Sequence, residues 1–209
     1  MAKLYARERI SMTQPLKIFY VRHGETEWSL SGQHTGTTDI PLTAKGEDDA
    51  RALAPWLQAY SFDHVYTSPR QRARHTCELA GLGAAATVEP DLSEWNYGEY
   101  EGIRSVDIRK QRPNWDIWTD GCPQGESPTD ITARVDRLLA KLKAQGGNIA
   151  LFAHGHIGLS LVTRWCELEL THGRIFTLHP ASLSILGHEA RAPDVPVILL
   201  LNATPVMPA

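Results

Sequence analysis

Two histidine-glycine pairs stand at the ends of apolar runs, far apart in the chain. Lys17-Ile18-Phe19-Tyr20-Val21 leads into Arg22-His23-Gly24-Glu25, and Ile149-Ala150-Leu151-Phe152-Ala153 leads into His154-Gly155-His156. A third run, about Asp63–Thr67, ends at Ser68-Pro69-Arg70. If the three runs are neighbouring parallel strands, their carboxyl ends share one crevice. Two imidazoles and two guanidiniums would then converge there. A guanidinium grips a phosphate bidentately. A neutral imidazole, held through one ring nitrogen, attacks phosphorus with the other. Gly24 and Gly155 let backbone come close to a ligand. A helix opening near His156 offers free N–H groups to an anion. An acid is still needed for a departing alkoxide, and the candidate is a carboxyl in Leu92-Ser93-Glu94-Trp95-Asn96-Tyr97-Gly98.

Plainer readings stand beside these. A single strand-end histidine more often packs or caps than reacts, and only the convergence argues otherwise here. Arg70 and Arg72 in a first helical turn are by default solvated. Trp95, Trp115 and Trp118 are by default packing for a core or lid. His154-Gly155-His156 lacks a third nearby ligand, so it is a weak zinc pattern. The remaining histidines, His34, His64, His75, His172, His179 and His188, receive no role.

The elements that would position these residues alternate between strand and helix. That pattern predicts an α/β fold of three layers, α/β/α, around a mostly parallel sheet. The first strand is Lys17–Val21, followed by a polar loop to Pro41. A helix capped by Thr43 carries Ala50, Leu53, Ala54 and Leu57 on one face. Ser68-Pro69 reads as a second helix start and Ser127-Pro128 as a third. The third helix has an apolar face of Ile131, Val135, Leu138, Leu139 and Leu142, stopped by Gly146-Gly147. Short strands are expected at Ala86–Val88 and Asn148–Ala153, with a helix from His156 to Cys166 after the latter. Two late runs, Ala181–Gly187 and Val195–Leu201, read as sheet-edge strands that either finish the sheet or pair across a homodimer.

The chain has 209 residues, enough for one buried core and short for two. Residues 1–15 read as a flexible, charged arm, and residues 16–209 as one domain whose segment 91–128 covers the crevice. Net charge is -3, which gives no bulk attraction to nucleic acid or an anionic membrane. Three cysteines without metal or redox spacing argue against a disulfide framework and suit a cytoplasmic protein. No run approaches the roughly 20 apolar residues of a membrane span, and the first residues lack the apolar core of a signal peptide.

Taken together, the motifs resemble the histidine phosphatase superfamily, the phosphoglycerate mutase-like proteins. The resemblance rests on Val21-Arg22-His23-Gly24-Glu25-Thr26, Asp39-Ile40-Pro41-Leu42-Thr43 with Gly46, and Thr67-Ser68-Pro69-Arg70-Gln71-Arg72-Ala73 with Thr76. It continues through Leu92-Ser93-Glu94 with Tyr97-Gly98, Gly125-Glu126-Ser127 and Phe152-Ala153-His154-Gly155-His156. Order and spacing agree from about residue 17 to 165.

The resemblance implies a phosphohistidine on His23, with Arg22, Arg70 and a protonated His154 completing the phosphate pocket. It implies that Glu94 protonates the leaving group and then activates water. Ser29 stands where the family often has a phosphate-touching Asn. Thr35 and Gly36 match substrate-contacting positions of the mutase branch, and Tyr97 and Gly155 join the substrate-binding set. No cofactor or metal is expected, and the expected partner is a small phosphorylated metabolite. Trp95-Asn96 after the glutamate, Trp115-Asp116-Ile117-Trp118 and Asp120-Gly121-Cys122 resemble the sedoheptulose-1,7-bisphosphatase branch rather than the mutases. That implies a metal-independent phosphomonoesterase for sugar phosphates or bisphosphates, against a mutase-type phosphotransferase or a non-catalytic binding member. Arg104, Arg109, Lys110 and Arg112 are either a grip for a distal phosphate or a solvated helix face.

Overall fold

A computed structural model describes residues 15–205. The arm expected over residues 1–15 lies, apart from Pro15, outside the described residues. In chain order the elements begin with β1 (Lys17–Arg22), α1 (Glu27–Ser31), α2 (Ala44–Ala52), α3 (Ala54–Leu57) and β2 (His64–Thr67). Next come α4 (Gln71–Leu79), β3 (Ala86–Val88), α5 (Ser105–Gln111), α6 (Ile117–Asp120) and α7 (Pro128–Gln145). The chain ends with β4 (Asn148–Ala153), α8 (Gly155–Trp165), β5 (Leu183–Glu189) and β6 (Ala192–Ala203).

The six strands form one sheet in the order β3-β2-β4-β1-β5-β6. The first four are mutually parallel; β5 runs antiparallel to β1, and β6 antiparallel to β5. The first late run is therefore interior, between β1 and β6, and only the second is an edge. Both faces of the sheet are covered, which is why β1 and β4 read as continuous apolar runs. Alternation sends Ile18 and Tyr20 to one core and Phe19 and Val21 to the other. In β4, Ile149 and Leu151 take the first side and Ala150 and Phe152 the second.

The first core is closed by α7 and α8. Ile131, Val135, Leu138, Leu139 and Leu142 are all buried there, each contributing about 1.5–3 kcal/mol of apolar burial. Ser127 caps α7 in a reciprocal pair with Asp130, as its spacing suggests. Trp95, Trp115 and Trp118 pack into the same core. The helix capped by Thr43 breaks at Leu53 into α2 and α3, because Pro55 has no N–H to continue the ladder.

One expected cap is used differently. Ser68 does not cap α4; that helix starts at Gln71, whose N–H donates to Asp39 Oδ1 at 2.8 Å. A carboxylate from 32 residues upstream therefore does the capping. The Ser68 hydroxyl faces His154 instead.

Candidate active site

Strands β1 and β4 are parallel neighbours, with Arg22 opposite Ala153. The next residue of each, His23 and His154, thus leaves the sheet at the same place. Their rings meet edge to face with centroids 5.1 Å apart. Strand β2 lies on the other side of β4 and brings Ser68 to His154.

His23 is buried, and its Nδ1 lies 2.7 Å from the carbonyl of Gly24. A carbonyl only accepts, so Nδ1 carries the proton and Nε2 keeps its lone pair. Burial, with Arg72 and Arg22 adding to it, holds the His23 pKa well below the usual histidine range. The imidazole is therefore a neutral base with a defined reactive nitrogen.

His154 is fully buried. Arg72 Nε donates to its Nδ1 at 3.1 Å, and its Nε2 lies 2.7 Å from Ser68 Oγ. A guanidinium cannot accept, so Nδ1 must, and the ring is the neutral Nε2–H tautomer. Burial and the arginines depress its pKa well below 6.5. The protonated His154 implied by the family likeness is not the form this geometry holds. Tyr20 braces the same turn: its hydroxyl donates to the His154 carbonyl at 2.6 Å and accepts the His154 N–H at 3.1 Å.

Glu94 enters from the segment between β3 and α5. Its carboxylate accepts from the N–H groups of Trp95, His156 and Ile157 at 2.8–3.0 Å. The His156 and Ile157 amides of α8 thus bind Glu94 and are not presented to a ligand, in contrast to the sequence expectation.

The two guanidiniums of the expected pocket differ in setting. Arg22 donates through Nη1 to the Leu178 carbonyl at 2.5 Å, while its Nε is buried without a partner. Arg70 Nε is also buried and unpartnered among the described residues. Buried N–H donors lacking a protein acceptor suit an oxyanion. Arg22 lines the central cavity, but Arg70 does not.

That cavity has a volume of about 310 Å³ and opens onto His23, Arg22 and Glu94. Ser29, Thr35, Tyr97 and Gly155 also line it, whereas Gly36 does not. The Ser29 hydroxyl is spent locally, donating to the Thr26 carbonyl and accepting the Thr26 N–H, both at 2.9 Å. Gly36 lies against the Trp95 carbonyl, where a Cβ would collide, and its N–H is held by Glu101. It shapes the wall rather than touching the cavity.

Three site residues escaped the sequence reading. Arg72 is fully buried and also donates to the carbonyls of Thr38 and Thr35, each at 2.9 Å. It shares the buried face of α4 with Ala73, Thr76 and Cys77, and that helical spacing is the signal that could have found it. His34 and His156 both line the cavity. Their proximity in sequence to Thr35 and His154 was the available clue.

Arg104, Arg109, Lys110 and Arg112 are exposed. Arg104 and Lys110 pair with Asp107 at 2.6 Å, and Arg112 reaches Tyr100. Arg109 donates to the Trp115 carbonyl at 3.1 Å. None of the four lines the cavity. Among the described residues no group of three or more His, Cys, Asp or Glu could hold a metal ion, and no helix is long and apolar enough to cross a membrane.

Comparison with known proteins identifies the family. Residues 18–202 match the Histidine phosphatase superfamily (branch 1). An acid phosphatase of Mycobacterium tuberculosis is 40% identical over 177 residues, covering 83% of this chain and 87% of that protein. Sedoheptulose 1,7-bisphosphatase of Saccharomyces cerevisiae is 37% identical over 169 residues, covering 65% of this chain and 62% of that protein. A solved structure of an open reading frame product from Mycobacterium tuberculosis superposes with a TM-score of 0.84 at 36% identity, covering 91% of this chain and 99% of that one. By its motifs, its sheet and these matches, the chain belongs to branch 1 of the histidine phosphatase superfamily and is a phosphatase of it.

Proposed function

We propose that this protein is a metal-independent phosphomonoesterase that hydrolyses small phosphorylated metabolites through a phosphohistidine on His23, with sugar phosphates and bisphosphates the class to test first. The observation that carries the reading is His23 itself. Its Nδ1–H is tied to the Gly24 carbonyl, which leaves Nε2 its lone pair, and it shares the cavity lining with Arg22, whose Nε has no partner among the described residues.

In the first step His23 Nε2 bonds to phosphorus as the bond to the leaving oxygen breaks. Glu94 supplies the proton that the leaving alkoxide takes up. Arg22 and Arg70 hold the non-bridging oxygens as charge shifts onto them. In the second step water attacks the phosphohistidine, Glu94 takes its proton, and inorganic phosphate leaves with His23 restored. The net change is a monoester and water giving an alcohol and phosphate. Similarity to a yeast sedoheptulose 1,7-bisphosphatase and to a mycobacterial acid phosphatase supports this chemistry.

The test is phosphate release from sedoheptulose 1,7-bisphosphate and from p-nitrophenyl phosphate, in EDTA, with His23→Ala as control. EDTA-resistant release that the substitution abolishes is the expected result. Full activity in His23→Ala would sink the phosphohistidine route. Conversion of 3-phosphoglycerate to its 2-isomer without phosphate release would replace hydrolysis with phosphotransfer.

A further inference from the structure

The cavity has lining residues that the chemistry of phosphate transfer does not use, among them His34, Tyr97, Ser105 and His156. The His34 and Tyr97 rings lie 4.6 Å apart, tilted at 33°. The Tyr97 hydroxyl and His156 Nδ1 are 2.7 Å apart, and His34 Nε2 is 3.1 Å from Ser105 Oγ. His34 and His156 face each other with centroids 5.8 Å apart. Among the described residues, His34 Nδ1 and His156 Nε2 have no hydrogen-bond partner.

We propose that these four residues form a leaving-group subsite for an uncharged, hydroxyl-bearing group, so that the enzyme prefers monophosphates of neutral polyols over bisphosphates and phosphorylated acids. This rests on the phosphomonoesterase reading above and narrows its substrate.

The argument is one of matching charge and donors. A neutral imidazole has one donor and one acceptor nitrogen, as a hydroxyl has one proton and lone pairs. Burial pushes both rings down to about 4, so they are uncharged at neutral pH. A second phosphate or a carboxylate calls for guanidinium or ammonium groups. Here the cover's basic side chains pair outside the cavity, with Asp107, Tyr100 and the Trp115 carbonyl. Among the described residues Arg22 is the one Lys or Arg lining the cavity, and it is engaged by the reacting phosphate, so an anion placed among His34, Tyr97, Ser105 and His156 would be desolvated with no cation of its own. The ring edges and faces of His34, Tyr97 and His156 offer apolar surface to the carbons of a small sugar or polyol.

Two matched pairs test this. Glycerol 3-phosphate and 3-phosphoglycerate differ by a hydroxymethyl against a carboxylate. Sedoheptulose 7-phosphate and sedoheptulose 1,7-bisphosphate differ by one phosphate. We expect kcat/KM to favour the uncharged member of each pair by about tenfold or more. Ser105→Lys, which puts a cation into the subsite, should shrink that ratio by raising the charged member. Preference of the wild type for the charged members, with His23-dependent turnover of p-nitrophenyl phosphate intact, overturns the subsite and leaves the phosphatase reading standing. No turnover of any of these esters overturns both. The wild-type ratios decide the matter even if Ser105→Lys fails to fold.

Discussion

Arg72 donates its Nε–H to His154 Nδ1 across 3.1 Å, from a side chain with no solvent exposure. The same guanidinium holds the carbonyls of Thr35 and Thr38. One residue therefore ties α4 to the end of β4 and to the loop that walls the cavity. The relationship fixes the proton of His154 on Nε2, next to Ser68, and keeps a neutral ring beside His23.

Replacing Arg72 by lysine should break this arrangement while keeping the charge, because an ammonium lacks the planar fork. Leaving several buried acceptors unpaired should cost about 2–4 kcal/mol of stability. A loosened support for His23 should lower kcat/KM by about a hundredfold. Histidine NMR gives the sharper readout. With Nδ1 freed, the ring should no longer be fixed as the Nε2–H tautomer, and an unchanged tautomer in Arg72→Lys would refute the role assigned to this contact.

Stability should fall in acid for a reason visible in the cavity. His23 and His154 are held well below 6.5, and His34 and His156 sit at about 4. Unfolded imidazoles take up protons near 6.5. Below that pH the unfolded chain binds more protons than the folded one, so stability is complete above about 6.5 and is lost as pH drops toward 4. His34 and His156 each account for about 3 kcal/mol of that loss by pH 4. Urea unfolding at pH 7 and pH 5 measures it, and His34→Gln should flatten the dependence. Over the same interval a neutral His23 should keep the acid limb of kcat/KM below pH 6.5. A midpoint that does not move between the two pH values would contradict the neutral state of these rings.

The turn after His23 depends on two glycines packed on one another. A Cβ on Gly24 would run into the Gly46 carbonyl, and one on Gly46 would run into Glu25. Thr43 adds hydrogen bonds to Glu25 from its N–H at 2.9 Å and its hydroxyl at 2.8 Å. Gly46→Ala should therefore displace the loop bearing the nucleophile, at about 2–3 kcal/mol in stability. Thermal unfolding reads the cost, and a variant as stable and active as the wild type would show that the loop has slack.

How far this was readable from the residues follows from the range of the interactions. Strands β1, β3 and β4, the face of α7 and the Ser127 cap depend on neighbours in sequence, and periodicity and capping chemistry reveal them. Ser68 misled because its local pattern is that of a cap, yet Asp39, far upstream, caps α4 and leaves the hydroxyl for His154. Arg72 reads as a solvated cation until the carbonyls of Thr35 and Thr38 are brought over it. His34 is marked only by its neighbour Thr35; it is held at the cavity by backbone bonds to Ile103 and Gly102. Charges and histidines buried by distant partners are what local reading misses.

Glu94 is held by three backbone N–H donors, two of them from the first turn of α8. That clamp sets one orientation for a group that must pass a proton to a leaving oxygen and later take one from water. Its importance should scale with how badly the leaving group needs the proton. Glu94→Gln should cut kcat by about 10²–10⁴ on an alkyl phosphate such as glycerol 3-phosphate, the usual range for lost acid-base catalysis. On p-nitrophenyl phosphate, whose phenolate leaves unprotonated, the first step should suffer far less, so a burst of p-nitrophenol should precede slow release of phosphate. Both products followed in one stopped-flow experiment separate the two steps. Equal losses on the alkyl and aryl esters, with no burst, would mean that Glu94 serves only to hold the start of α8 and that the proton comes from elsewhere.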